Sequence, residues 1–295
     1  KMRQYGNNYP FASSTAFLSS ADITFANLET PITPGPPVPT DSTTFHADPW
    51  SEIALYSAGI DVVSLANNHS LNYGPLGLID TWENLDRAQI LHSGSGTSLA
   101  EALKPAIIER QGLRFAFISF NDDDIVPDSY GAQVDSGGTA LMTNENLQVA
   151  MMLAKASADV TIISMHSGKE YSRSANDRQA AFAHEAIDAG ADVVIGHHPH
   201  VVQNIERYRG KYIFYSLGNF VFDQMFSDQT REGLAVKLIF LDKEVSSVEL
   251  HPFKIYDYAQ PRPLPLDQAQ DIHNRFGIAV STSTIEGPSF WQIDK

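Results

Sequence analysis

The chain predicts an α/β fold in which helices flank a largely parallel sheet and a second sheet packs against it. Two observations support this prediction. Short apolar runs alternate with amphipathic helical stretches through the first two-thirds of the 295 residues, whereas residues 211–253 are patterned almost entirely as strand. A layered α/β/β/α sandwich, with two sheets inside and helices outside, accommodates both halves.

The helices are predicted from apolar spacing and from start and stop signals. Asp48 followed by Pro49 is a helix-start signal, and Gly59 and Gly190 are stop signals. The predicted helices span residues 50–57, 75–88, 145–157 and 176–189, with a short C-terminal helix around 267–276.

The strands are predicted from short β-branched or apolar runs bounded by turn residues. Gln111 and Gly112 separate two such runs, as a hairpin turn does. The predicted strands span residues 23–27, 61–66, 106–110, 113–120, 159–165, 192–196, 211–217, 234–241 and 245–251. We assign Asp61 and Asp192, which open two of these runs, to turn or cap roles.

The composition narrows the chemistry available to the chain. A net charge of −15 disfavours nucleic acid as a partner, because neutralising phosphates requires clustered Lys and Arg. The chain has no cysteine, so a metal site must use nitrogen and oxygen ligands. Absence of cysteine also fits an exported protein. No apolar stretch approaches the length of a membrane span, and no signal peptide is visible.

The most informative segment is His197-His198-Pro199-His200, which follows the apolar strand 192–196. Neutral imidazole is the commonest protein ligand for zinc-, manganese- and iron-type metals. Loops at the carboxyl ends of strands are also where α/β folds build their sites. The segment therefore indicates a metal site, and the alternative interpretation is a polar loop with surface histidines.

Three other predicted strands are also followed by His, Asn or Glu, which strengthens the interpretation as a metal site. Together the strand ends supply a nitrogen and oxygen ligand set: Glu29, Asn68, His166, His198 and His200. Such a set suits two divalent ions of manganese, zinc or iron type, which is the usual arrangement for phosphoester hydrolysis. His69 is expected to protonate the leaving oxygen. Polar residues expected at the substrate are Asn27, Asn67, His197, Glu170 and Asn219.

Several residues also have a purely structural interpretation. Asn67 could equally cap or brace its loop, and Gly218-Asn219 could be a turn rather than a substrate-facing wall that includes Asp223. The acidic run Asp122 to Asp124 is predicted to be a solvated loop rather than a cation site. Histidines without metal-type spacing are treated as non-ligands: His46, His92, His184, His251 and His273.

Five segments in order carry a family resemblance: ANLETP at 26–31, LANNH at 65–69, HSGKEY at 166–171, GHHPH at 196–200 and SLGNF at 216–220. They resemble bacterial poly-γ-glutamate capsule synthesis proteins of the CapA type, distant relatives of calcineurin-like metallophosphoesterases. The resemblance implies a metallophosphatase-like α/β/β/α sandwich over residues 1–255, with residues 256–295 as an extension packed on it. It also implies an extracytoplasmic position, anchored at the membrane through a segment outside this chain. The implied partner is poly-γ-glutamate or its synthesis machinery.

Three departures from the family pattern bear on the site. The family's first strand, which ends in Gly-Asp and supplies a metal ligand, is absent from the chain as given. Asn72 stands where the family often has Asp, and Ser167 stands where it often has Trp.

Three functions remain open from the sequence. The first is a metal-dependent hydrolase of phosphoester, acyl or amide bonds, the second a non-catalytic assembly or binding protein, and the third a nucleotide or sugar-phosphate phosphoesterase unrelated to capsule.

Overall fold

The computed structural model describes residues 1–38, 43–283 and 288–294. Nine α-helices are present in these ranges: α1 (Met2–Tyr5), α2 (Thr15–Leu18), α3 (Glu52–Ala58), α4 (Gly74–Arg87), α5 (Leu99–Ala102), α6 (Asn144–Ser157), α7 (Asp177–Asp188), α8 (Asp228–Arg231) and α9 (Gln270–His273). In the same described residues, none of them is both long and apolar enough to cross a bilayer.

Six strands form the central sheet, in the order β10-β11-β9-β8-β6-β5. Their bounds are β5 (Ala106–Arg110), β6 (Leu113–Asn121), β8 (Val160–His166), β9 (Val193–His197), β10 (Ile205–Tyr208) and β11 (Lys211–Phe214). The four inner strands are parallel, and an antiparallel hairpin lies at each edge. Parallel strands bring their carboxyl ends to one edge, so the loops after β8 and β9 are neighbours.

Two smaller sheets form the second layer. The first is parallel, in the order β1 (Phe25–Asn27), β2 (Val62–Ser64), β3 (Leu91–Ser93). In the second, β12 (Glu232–Leu241) pairs with β13 (Glu244–Tyr256), which also pairs with β14 (Gln260–Pro263) and with β16 (Phe290–Ile293), itself beside β15 (Val280–Ser283). A separate pair joins β4 (Ser95–Gly96) to β7 (Gly138–Thr139).

An apolar groove of about 960 Å³ separates these two smaller sheets. Phe25 of β1 and Val236 and Leu238 of β12 line it, and Ile195 of the central sheet lies beneath. Within the described ranges no strand lies between β1 and β12.

Three clusters of apolar side chains hold the layers together. Helices α6 and α7 cover one face of the central sheet, and the β12–β16 sheet covers the other. Helices α3 and α4 cover the outer face of the three-stranded sheet. The layers thus follow the order α/β/β/α, which confirms the predicted fold class. From the C-terminal residues, Ile272, Phe276 and Trp291 pack into the core between the two sheets.

Most predicted elements are present, with shorter ends. Helix α3 starts two residues later than predicted, because Asp48 and Pro49 belong to a preceding turn. It ends as predicted at Gly59, whose φ of 86° is in the left-handed region. The C-terminal helix is wrong in length: a 3₁₀ turn (Leu266–Gln268) precedes the single turn of α9.

The two aspartates that open strands have structural roles, as predicted. Asp61 accepts a hydrogen bond from the Thr24 backbone at 2.8 Å, and Asp192 accepts one from the Thr161 backbone at 2.9 Å. Each carboxylate therefore ties the start of its strand to a neighbouring strand, at the end of the sheets opposite the loops that carry the histidines.

Candidate metal centre

Polar side chains from four strand ends meet at one edge of the sheets. Glu29 follows β1, Asn68 follows β2, His166 is the last residue of β8, and His198 and His200 follow β9. Because β8 and β9 are parallel neighbours, their ends deliver imidazoles to the same place. The structure brings all five predicted ligands together.

The donor atoms are close enough to share an ion. One carboxylate oxygen of Glu29 and one ring nitrogen each of His166 and His198 lie within 4.8 Å of one another. Asn68 Oδ1 lies 2.9 Å from His166 Nε2, and Glu29 Oε1 lies 3.5 Å from that nitrogen. The same Glu29 oxygen is 3.9 Å from His200 Nε2. In the part of the chain that the structure describes, no other cluster of His, Asp and Glu meets this spacing.

The hydrogen bonding of these groups fits a bound cation. Glu29 Oε1, His166 Nδ1 and His198 Nδ1 are buried and have no hydrogen-bond partner. Buried polar atoms are normally paired, so unpaired polar atoms on three neighbouring residues of one site fit a bound ligand. Divalent ions of the manganese, zinc or iron type accept this mixture of imidazole, amide and carboxylate donors.

Burial also sets the protonation of the ligands. It holds the pKa of His166 well below its usual range, with neighbouring imidazoles adding to the effect, and it lowers the pKa of His198 to about 4. Both rings are therefore neutral near pH 7, as metal ligands must be. Burial raises the pKa of Glu29 to about 8, opposed by a hydrogen bond from Asn27. A cation in the site would favour the ionised carboxylate.

The loop that carries the histidines has an unusual backbone. His198 has a φ of 98° and His200 a φ of 58°, both in the left-handed region that non-glycine residues rarely adopt. Such conformations persist where the surroundings impose them, and they cluster at functional sites. Gly196 precedes the loop because a Cβ there would lie 2.0 Å from the Tyr215 carbonyl oxygen.

Three of the residues predicted to contact substrate make hydrogen bonds to the proposed ligands or to the loops that carry the site. Asn27 donates to Glu29 Oε2 at 3.0 Å. Asn67 is fully buried, donates to the Leu28 carbonyl at 2.9 Å and accepts from the His69 backbone at 3.1 Å, which corresponds to the bracing alternative. Asn219 Oδ1 lies 2.9 Å from His200 Nδ1, an arrangement that leaves Nε2 of that ring towards Glu29.

The other two predicted substrate residues differ in exposure. His197 lines the groove with its ring centroid 6.2 Å from that of Phe25, so it does not join the ligand group. Glu170 is exposed, and its charge raises the pKa values of His69 and His200 against the larger effect of burial. Asp223 is exposed among the residues that line the groove.

His69 is held beside the ligand cluster. Its Nδ1 lies 2.8 Å from Asn72 Oδ1, and that oxygen also accepts the Phe45 backbone N–H at 3.0 Å. Because Asn72 Oδ1 acts as an acceptor, His69 Nδ1 carries the proton and Nε2 is free for proton transfer. Asn72, noted from the sequence only as a missing carboxylate, therefore sets the tautomer of His69.

The sequence prediction for the acidic run was wrong at Asp122. This side chain is buried, accepts from Arg178 Nε at 2.6 Å and accepts from the Ser167 hydroxyl. Its backbone N–H also donates to the His166 carbonyl at 3.0 Å. The run of three carboxylates suggested solvation, whereas the partner Arg178 lies 56 residues away and gives no local signal.

An α/β/β/α sandwich with a histidine-rich centre at its strand ends defines the class of this protein. The sequence model of the family described as "Bacterial capsule synthesis protein PGA_cap" matches residues 1–224. The chain therefore belongs to this family.

Curated relatives agree with this family. The chain is 32% identical over 267 residues to the PGA biosynthesis protein CapA of Bacillus subtilis, covering 90% of this chain and 69% of that protein. It is 29% identical over 275 residues to the capsule biosynthesis protein CapA of Bacillus anthracis, covering 89% and 65%. A probable polyglutamine synthesis accessory protein of Mycobacterium tuberculosis is 32% identical over 227 residues, covering 73% and 60%. The chain thus spans about two-thirds of the length of these relatives.

Solved structures were also matched at low sequence identity. The calcineurin-like phosphoesterase YfkN of Bacillus subtilis aligns with a TM-score of 0.45 and 15% identity, covering 79% of this chain and 74% of that one. The sulfate thiohydrolase SoxB of Thermus thermophilus aligns with a TM-score of 0.46 and 14% identity, covering 76% and 37%.

Proposed function

We propose that this protein is a metal-dependent hydrolase that serves poly-γ-glutamate capsule formation, acting on a phosphoester or a related acyl or amide bond. The observation that supports it is the convergence of Glu29, His166 and His198, with donor atoms within 4.8 Å and buried acceptors that have no partner. The family and the names of the curated relatives support the link to capsule synthesis.

The residues divide into ligands, positioning residues and a proton carrier. The ligands are Glu29, Asn68, His166, His198 and His200. When bound, a divalent ion supplies Lewis acidity and lowers the pKa of water. A hydrogen bond from Asn27 orients the Glu29 carboxylate, and a hydrogen bond from His200 to Asn219 orients the His200 ring towards the metal site. His69, with Nδ1 held by Asn72, would accept a proton from the attacking water at Nε2 and then donate it to the leaving oxygen.

A second candidate is a non-catalytic assembly protein that retains the site. It is supported by the relative named as a synthesis accessory protein. His69→Ala separates the two candidates, because His69 is not among the ligands. Loss of turnover with unchanged metal content supports the hydrolase, whereas unchanged capsule-related function supports the assembly role.

We also propose that the protein works outside the cytoplasm, in contact with the synthesis machinery at the membrane. The absence of cysteine supports this location, because exported proteins avoid free thiols. Fractionation of cells that produce the protein tests it directly, with recovery in the cytosol as the contradicting result.

Metal content measured by elemental analysis tests the proposed site. We expect about one or two transition-metal ions per chain, in line with a binuclear centre, and loss of these ions in the His198→Ala, His200→Ala double variant. The matched control is the His184→Ala, His273→Ala double variant, which removes two imidazoles outside the cluster. Absence of metal from the parent chain after incubation with manganese or zinc would contradict the hydrolase proposal.

A further inference from the structure

Four aromatic side chains surround the His69 and His200 side of the metal centre. The Phe45 ring lies 4.2 Å from the His69 ring, and the Phe222 ring stacks on His200 at 5.4 Å. The Tyr171 ring lies 6.1 Å from His200. The fourth ring, Phe226, meets Tyr171 edge-on at 5.5 Å. We call Phe45, Tyr171, Phe222 and Phe226 the aromatic rim.

The outer part of the rim is exposed although it is apolar. Tyr171 is 44% exposed and Phe226 is 68% exposed. Large exposed aromatic side chains next to a polar centre are typical of binding sites, since they offer a wide contact surface with few rotatable bonds. The rim therefore has the composition of a recognition surface rather than of a core.

The position of Tyr171 is imposed by its surroundings. Its φ of 61° lies in the left-handed region, which a tyrosine rarely adopts. Its backbone N–H donates to the Pro199 carbonyl at 2.8 Å, within the histidine loop, and its hydroxyl accepts from Gln224 Nε2 at 3.3 Å. These bonds fix the ring over the site, as expected for a residue whose strained backbone serves function.

Two carboxylates lie close to the centre: Glu170 is exposed, whereas Asp122 is buried and paired with Arg178. Against the larger effect of burial, the charge of Glu170 raises the pKa values of His69 and His200, and that of Asp122 raises the pKa of His198. The basic residues that line the groove lie elsewhere: Arg110 pairs with Asp61 at the opposite end of the sheets, and Lys237 pairs with Glu249 along β12. A polyanion at the rim would gain attraction from the metal and meet repulsion from the exposed Glu170.

We propose that the aromatic rim selects a substrate that carries a flat apolar group next to the group bound at the metal, and that it disfavours a polyanionic chain. The inference rests on the proposed hydrolase function and deepens it by naming the class of substrate. A γ-glutamyl polymer has one carboxylate per residue, so the centre acts on a small substrate and not along the polymer.

The test compares two probes that differ only in the apolar group. Phenylphosphonate and methylphosphonate are titrated calorimetrically into manganese-loaded protein whose metal content has been measured. We expect phenylphosphonate to bind about five- to tenfold more tightly, in line with the strength of aromatic contacts. Phe226→Ala should remove most of this preference. The control is Tyr56→Ala, which removes an equally exposed ring on the outer face of α3 and should leave the preference intact.

A third probe, γ-linked hexaglutamate, tests the exclusion of polyanions and should bind more weakly than phenylphosphonate. Equal affinities for the two phosphonates in metal-loaded protein, or tighter binding of hexaglutamate, would overturn the inference while leaving the metal site in place. Failure of the protein to take up manganese would overturn the proposed function, and with it the inference.

Discussion

The two faces of the central sheet are built differently. The face under α6 and α7 is closed, with Ile163, Met165 and Phe182 buried in one continuous core. The opposite face is only partly covered, because the groove between β1 and β12 leaves Ile195 half-buried at the middle of the sheet. The central sheet supplies three of the five ligands, whereas Glu29 and Asn68 come from the far side of the groove. The imidazoles therefore rest on a packed core, and the carboxylate and amide depend on polar bracing.

The largest expected effect is a loss of free energy of unfolding when an isoleucine of the central sheet is shortened to alanine. Ile163→Ala, on the closed face, should reduce the free energy of unfolding by about 2–5 kcal/mol, because it leaves a cavity in a fully packed region. Ile195→Ala, the same change on the groove face, should cost clearly less, because that side chain is already in contact with open space. Urea unfolding of both variants measures the difference. Equal losses would show that the two faces are packed alike.

The next largest effect is expected at Asn67, whose hydrogen bonds brace the loops that carry Glu29 and His69. Asn67→Ala leaves the Leu28 carbonyl and the His69 backbone N–H without their partner inside the protein. We expect a loss of about 1–3 kcal/mol in the free energy of unfolding, the cost of unpaired buried polar groups. Metal affinity should fall as well, because Asn67 also donates to Asn27, which holds Glu29. Unchanged stability of Asn67→Ala would contradict a bracing role for this side chain.

Asp122 tests how the ligands on the central sheet are supported, because it lies beside the ligand His166. Asp122→Asn weakens the contacts with Arg178 and Ser167 beside the ligand His166, so manganese affinity should fall about 10- to 100-fold, as for other groups that orient metal ligands. Asp124→Asn, an exposed carboxylate in the same run, is the control and should change affinity little. Thermal unfolding of the metal-free variants separates positioning from general destabilisation. An equal loss of manganese affinity in Asp122→Asn and Asp124→Asn would contradict a special role for Asp122.

The smallest expected effect lies at the end of the sheets away from the centre. An ion pair with Lys243 and a hydrogen bond from the Arg114 backbone lower the pKa of Asp159 to about 2. Since the folded pKa lies below the unfolded value of about 3.9, the stabilisation is present above that pH and is lost as the pH falls towards 2. Asp159→Asn should reduce the acid dependence of unfolding in that window. An unchanged acid profile would contradict this role.

The sequence predicted the fold class and the convergence of the proposed ligands, because both depend on local patterns. Apolar runs that end in histidine or asparagine mark the carboxyl ends of strands, and parallel strands share an edge, so Asn68, His166 and His198 could be placed together. Glu29, which follows another predicted strand, was placed with them in the same way.

Other features of the site could not be predicted in this way. The buried role of Asp122 depends on Arg178, and the tautomer of His69 depends on Asn72 and on the backbone of Phe45. The aromatic rim joins Phe45 to residues of two distant loops. Such contacts are set by tertiary packing, for which a single sequence contains no periodic signal.

The most direct test of the central claim is anomalous X-ray diffraction from crystals of the manganese-loaded protein. The account predicts an anomalous peak within coordination distance of Glu29, His166 and His198, and its loss in the His198→Ala, His200→Ala variant. Ions bound only elsewhere on the acidic surface, or no ion at all at the cluster, would contradict a metal centre at these strand ends.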